Sequence, residues 1–156
     1  MFSWGLSWSC SRSIPSSGRG EQMDVPAATA DTARKLQQLL MDSASLIEEY
    51  TREACPDCTD VCCRQKHGTY RERDIIYLNA IGAFVPPFDR SRAPEARCEY
   101  LGHDGCVHPR WLRPFKCTWY FCDPIMRIME ERPQRSARSL TAVMEKMIRL
   151  YDELKG

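Results

Sequence analysis

The chain has almost no net charge: 22 basic residues face 21 acidic ones among 156. It therefore has no overall pull toward nucleic acid or an anionic membrane. No apolar run approaches the roughly 18 residues needed to cross a bilayer, which argues against a membrane protein. The opening Met1-Phe2-Ser3-Trp4 lacks a basic start and a long apolar stretch, so it reads poorly as an export leader. A reducing cytoplasm is the expected compartment. Nucleotide and protease signatures are also missing, with no G-x-G-x-x-G, no G-x-x-x-x-G-K-[ST] and no H-E-x-x-H. No catalytic motif is left to name, and no internal repeat is evident.

Periodicity is present at both ends of a single expected domain, residues 26–156. Residues 1–25 are rich in Ser, Gly and Arg without a sustained period and are expected to be a disordered tail, with Met23 as an alternative initiator. From 28 to 53, Leu36, Leu39, Leu40, Ala44, Ile47 and Tyr50 recur at three- and four-residue steps and predict one amphipathic helix. Thr29 or Asp31 would cap it, and its exit would present Cys55. A short helix is expected over 71–81, with Ile75, Leu78 and Ile81 on one side and Gly82 as its stop. Residues 83–97 read as an irregular connection, and 102–105 as a turn. Asp123-Pro124 would open a helix to Glu131. After Pro133, a last helix over 136–154 carries Leu140, Val143, Met144, Met147, Ile148 and Tyr151 on its apolar face. The expected fold class is mainly α: a small, irregular, cysteine-rich, metal-bound centre flanked by N- and C-terminal amphipathic helices.

Eight of the nine cysteines fall in residues 55–122: Cys55, Cys58, Cys62, Cys63, Cys98, Cys106, Cys117 and Cys122. Cores do not concentrate cysteine in this way, whereas soft and borderline metal ions require gathered thiolates. In a reducing compartment such a cluster reads as metal-binding or redox-active rather than disulfide-bonded. Cys62 and Cys63 should not pair with each other, because adjacent Cα atoms lie about 3.8 Å apart and disulfides prefer roughly 4.4–6.8 Å. Cys55-x2-Cys58 is a chelate whose sulfurs can reach one ion. The spacing excludes a c-type haem, since Thr59 stands where histidine is needed, and it also departs from ferredoxin and zinc-ribbon runs. Successive side chains diverge, so Cys62 and Cys63 either serve two sites or only one is a ligand. Eight thiols match two four-sulfur sites, and equally one site plus four packed or redox-active thiols. His108 is a candidate substitute ligand, while His67 and His103 read as loop residues.

The constellation Cys55-x2-Cys58-x3-Cys62-Cys63-Arg64, Asp74-Ile75, Cys98-x7-Cys106 and Arg113-Pro114-x2-Cys117-x4-Cys122 resembles the YkgJ-type cysteine-cluster family. That family is described as zinc- or iron-chelating, and sometimes as iron–sulfur; it is a bacterial-type domain. The resemblance covers under half of the chain and fills all eight of the family's cysteine positions. It departs from the family's C-x2-C-x2-C-C shorthand in having three residues between Cys58 and Cys62. It implies a metal-binding protein holding zinc or iron, an iron–sulfur cluster included, with no assigned reaction. Flagellin lysine methylases carry a similar cluster, which keeps an enzyme or enzyme component, redox or methylase-like, as the alternative.

Trp111, Phe115, Trp119, Tyr120 and Phe121 crowd the last cysteines. They are expected to shield the metal from water and to build core. A stacking platform for nucleic acid is the competing reading. Ten basic and eight acidic residues between 55 and 122 leave a formal +2. Two tetrathiolate sites at about −2 each would reverse that sign, a poor field for phosphates. Arg64 and Arg113 are expected to donate hydrogen bonds to the sulfurs instead.

Overall fold

The computed structural model describes residues 25–55, 62–64, 68–89, 91–93, 96–103 and 105–155. The expected N-terminal tail lies outside them apart from Val25, as do Cys10, Cys58, His67 and the side chain of Arg64. The described chain is mainly helical, with six α-helices and one two-stranded hairpin. The expected first helix is two. Helix α1 spans Ala27–Asp42 and α2 spans Ala44–Ala54, broken at Ser43, whose ψ is near zero. Asp42 and Ser43 are residues whose short polar side chains compete with the helical backbone. The apolar stripe continues across the break: Leu36, Leu40, Ile47 and Tyr50 are all buried.

The expected caps of α1 are not used. The helix starts earlier, because the Ala30 N–H already bonds the Pro26 carbonyl at 3.0 Å and proline's fixed φ is pre-set for a helix entry. Thr29 instead donates to the carbonyl of Lys155 at 3.1 Å, tying the two ends of the chain. Asp31 pairs with Lys35 one turn on, at 2.6 Å.

Helix α3 spans Glu72–Ala80 and ends where expected, with Gly82 at φ +71, a left-handed position that glycine takes without steric cost. The turn at 102–105 closes a hairpin of β1, Leu101–Gly102, against β2, Gly105–Cys106. A single-turn helix α4 (Lys116–Trp119) follows, then α5 (Asp123–Glu131) with Pro124 in its first turn. Helix α6 begins at Gln134, directly behind Pro133, and runs to Glu153.

Helix α1 packs against α6 and α3, and α2 against α5. The buried side chains of all these helices form one cluster. Leu36, Leu140 and Met147 are fully buried in it, each stabilising the fold by roughly 1.5–3 kcal/mol. Ile148 is an exception to the expected stripe: it is 39% exposed, because the core-facing arc of α6 runs through Leu140, Met144 and Met147. Asp74, buried at the first turn of α3, joins three elements. It accepts from its helix's leading amide (Arg71 N, 2.8 Å), from the Phe115 amide (3.0 Å) and from the Tyr151 hydroxyl on α6 (2.9 Å). Phe115 and Tyr151 stack with centroids 4.0 Å apart. The start of the last cysteine segment is thereby fixed to the helical core.

Candidate metal centre

The cysteines come from irregular stretches that the helices hold in place. Cys55 caps the C-terminus of α2, its amide bonded to the Thr51 carbonyl at 2.9 Å, and its side chain is exposed as expected at the helix exit. Cys62 and Cys63 open a single 3-10 turn, Cys62–Arg64. Cys98 precedes the hairpin, and its amide donates to the Cys63 carbonyl at 2.6 Å. That bond joins the two halves of the cysteine segment. Cys106 ends β2, Cys117 lies in α4, and Cys122 is the residue before α5. Cys62, Cys63, Cys98, Cys106, Cys117 and Cys122 are half-buried, and none of the described cysteines forms a disulfide.

The adjacent pair diverges. Cys62 lies within electrostatic range of Cys122. Burial first, and then the Cys122 thiol, push Cys62 well above the ordinary thiol range. Cys63 lies instead within electrostatic range of Cys98, Cys106 and Cys55, and burial together with those neighbours pushes it up to about 11. Burial and the thiols of Cys63, Cys106 and Cys98 push Cys117 up to about 12. Cys98 is raised by burial and by Cys106. Cys63, Cys98, Cys106 and Cys117 are thus mutual neighbours, drawn from a 3-10 turn, a loop, a hairpin strand and a helix. With their side chains as they stand, no three His, Cys, Asp or Glu residues among the described ones converge closely enough to hold an ion. The structure brings these four thiols within electrostatic range of one another without forming a coordination sphere.

Several buried polar groups lie near these cysteines. Of the five buried polar side-chain atoms with no hydrogen-bond partner among the described residues, three sit at His108 Nε2, Arg110 Nε and Thr118 Oγ1, whereas buried polar groups are normally satisfied. Sequence reasoning singled out Arg113 here and missed Arg110, which is only 3% exposed. Burial, then Arg113, lower Arg110 to about 10, while Glu48, Cys117 and Cys106 favour its charge. Arg113 donates from Nε to the His108 carbonyl at 2.7 Å, and its charge lowers the pKa of Cys63 and Cys117. Burial and Arg113 lower His108, whose ring lies 4.5 Å from that of Tyr100.

The aromatic cover differs from the expected one. Phe115 is buried and Trp111 and Phe121 pack on the core, but Trp119 and Tyr120 are 41% and 37% exposed. One turn of helix is too short to bury neighbouring positions on the same side, and the buried position of α4 is Thr118. Tyr70 and Tyr100 are the buried aromatic rings near these thiols instead. Their rings meet edge to face 6.1 Å apart. The Tyr70 hydroxyl bonds the Leu112 carbonyl at 2.7 Å, and Tyr100 bonds the Pro87 carbonyl at 2.6 Å. Tyrosines at the edge of a loop carry no periodic signal, which is why sequence pattern passes over them. Gly68 is a second silent contributor: a Cβ there would stand 2.6 Å from Cys98 Sγ, so a side chain at this position would force that thiol to shift.

A cleft of about 910 Å³ opens beside this group, with Cys98 in its wall and Tyr70, Arg71, Ile75, Arg97 and Glu99 among its lining. No known protein family, curated protein or solved structure matches the chain. No helix among the described residues is long and apolar enough to cross a membrane.

Proposed function

We propose that the chain is a metal-binding protein of the YkgJ-type cysteine-cluster kind, chelating zinc or iron through the thiolates of residues 55–122. The observation that carries the reading is the gathering of Cys63, Cys98, Cys106 and Cys117 from four separate local structures. Thiols otherwise gain nothing from such crowding, since each raises the proton affinity of the next. In this reading those four hold one ion or cluster. Cys62 and Cys122 would belong to a second sulfur set, for which Cys55 and Cys58 are the remaining cysteines of the eight. Bound zinc would cross-link the loops, and an iron–sulfur cluster would add a one-electron carrier. A reducing cytoplasm is the matching compartment.

Anaerobic purification followed by metal analysis and a visible spectrum tests this. A brown protein with sulfide-dependent absorbance near about 400 nm identifies iron–sulfur, and a colourless one holding zinc identifies a structural or storage site. Protein free of both metals after anaerobic isolation, and unable to take up either, overturns the reading. The cleft with Cys98 in its wall favours one variant, an enzyme component whose centre is open to a ligand. Turnover or ligand binding that depends on the loaded centre would distinguish it from a closed structural site.

A further inference from the structure

We infer that Cys63 and Cys98 form a reversible disulfide by exchange with a low-molecular-weight disulfide that enters the cleft whose wall holds Cys98. This goes beyond the metal-binding reading and does not depend on it, because the bond needs these two thiols and no ion.

The backbone brings the pair together. The Cys98 amide donates to the Cys63 carbonyl at 2.6 Å, with the whole of α3 lying between them along the chain. A direct amide-to-carbonyl bond keeps the Cα atoms of two residues close, about 5.5 Å in paired strands, and a disulfide spans roughly 4.4–6.8 Å. Both residues are half-buried free thiols. The surroundings of the thiols agree with that placement. Burial, and then Cys98 ahead of the other thiols, raise Cys63, whereas Cys62 is raised by burial and then by Cys122.

Access sets the order of events. Cys98 lies in the wall of a cleft of about 910 Å³, and Cys63 is not among its described lining; a cleft of this size admits a small ligand. Gly68, in the same wall, leaves the thiol its place, since a Cβ there would stand 2.6 Å from Cys98 Sγ. An incoming disulfide therefore meets Cys98 first. The Cys98 thiolate attacks one sulfur of the reagent and expels the other half as a thiolate, leaving a mixed disulfide. Cys63, deprotonated in turn, attacks the Cys98 sulfur and expels the second half. The two protein thiols give up two protons and two electrons, and one small disulfide becomes two thiols. In a reducing compartment such a bond is transient and redox-sensing. It adds a covalent tie where a backbone hydrogen bond joins the two halves of the cysteine segment, and it removes the free thiol from the cleft.

The test is oxidised glutathione on the full chain, reduced and then desalted anaerobically, with and without a chelator, followed by alkylation and peptide mass mapping. The expected product is a Cys63–Cys98 crosslink that dithiothreitol reverses, and the same crosslink in Cys62→Ser. Cys63→Ser should lose the crosslink and accumulate glutathione on Cys98, and Cys98→Ser should lose both. In urea the preference for this pair should disappear into a mixture of pairings. Absence of the Cys63–Cys98 crosslink in both arms overturns the inference. So does a different pair as the main native product, the same mixture in native buffer and in urea, or glutathione on cysteines other than Cys98 in Cys63→Ser. If a serine variant fails to fold, the wild-type map and its urea reference decide. Failure leaves the metal-centre reading standing, since metal uptake is measured separately.

Discussion

At the scale of single residues, Cys62 and Cys63 hold the most information. They are neighbours in sequence and belong to different surroundings: Cys62 lies with Cys122, and Cys63 with Cys98, Cys106 and Cys117. A serine hydroxyl is a much poorer donor to a soft ion than a thiolate. Cys62→Ser and Cys63→Ser are each expected to weaken a different metal-binding step, and the double variant to weaken both. Metal titration of the wild type and the three variants checks this. One mononuclear ion in the wild type, with Cys63→Ser unaffected, would contradict it. The thiols also carry a pH dependence. The fold raises Cys63 and Cys117 above the ordinary thiol value, to about 11 and about 12, so it favours their neutral forms. That contribution is fully present below about pH 8.5 and is lost as pH climbs through the raised values. Metal-free protein should therefore melt at progressively lower temperature as pH rises from about 8.5 toward 11. A melting temperature flat across that range would show that these thiols are not held as described.

At the scale of elements, the cysteine loops depend on anchors in the helices. Asp74 is the clearest, since one carboxylate serves the first turn of α3, the Phe115 amide ahead of α4, and Tyr151 on α6. Asp74→Ala leaves a buried amide and a hydroxyl without their acceptor. It is expected to cost about 2–4 kcal/mol of stability, a buried charged hydrogen-bond network being more costly to break than a surface pair. Denaturant unfolding measures the loss, and Asp74→Asn, which keeps one acceptor oxygen, should lose less. A cost below about 0.5 kcal/mol would mean that the three elements are held together by packing alone. The ion pairs of Arg132 with Glu49 and Glu53 join α5 to α2 at the surface, and contacts of that exposed kind contribute little by comparison.

At the scale of the whole molecule, the division of labour is between a helical core and a loop-built centre. The core is one cluster fed by α1, α2, α3, α5 and α6. Besides α3, the described part of the segment carrying the cysteines has little regular structure: two 3-10 turns, a hairpin of two-residue strands and one turn of α-helix. Metal ligation supplies on the order of 10 kcal/mol per structural site in small domains. On the proposed metal-binding reading, treatment with a strong chelator is thus expected to open the 55–122 segment to protease, and to loosen the helices that this segment joins. Circular dichroism and limited proteolysis before and after chelation read this out. Unchanged helicity and protease resistance in verified metal-free protein would show that the helices and their packing hold the segment unaided.

The sequence by itself determined the helical class, the main apolar stripes, the stop at Gly82, the turn at 102–105 and the clustering of eight cysteines in 68 residues. Those features are local: helical period, glycine's access to positive φ, and composition act within a few residues. Only the tertiary structure decided which cysteines are neighbours, because Cys63 and Cys117 are far apart along the chain and meet through packing. It also decided that the first helix breaks at Ser43, that Tyr70 and Tyr100 rather than Trp119 and Tyr120 are buried, and that Gly68 lies close against the Cys98 thiol. Arg110 has the same origin. Nothing in its local sequence marks it as buried, since the burial of a charge depends on what other parts of the chain place around it.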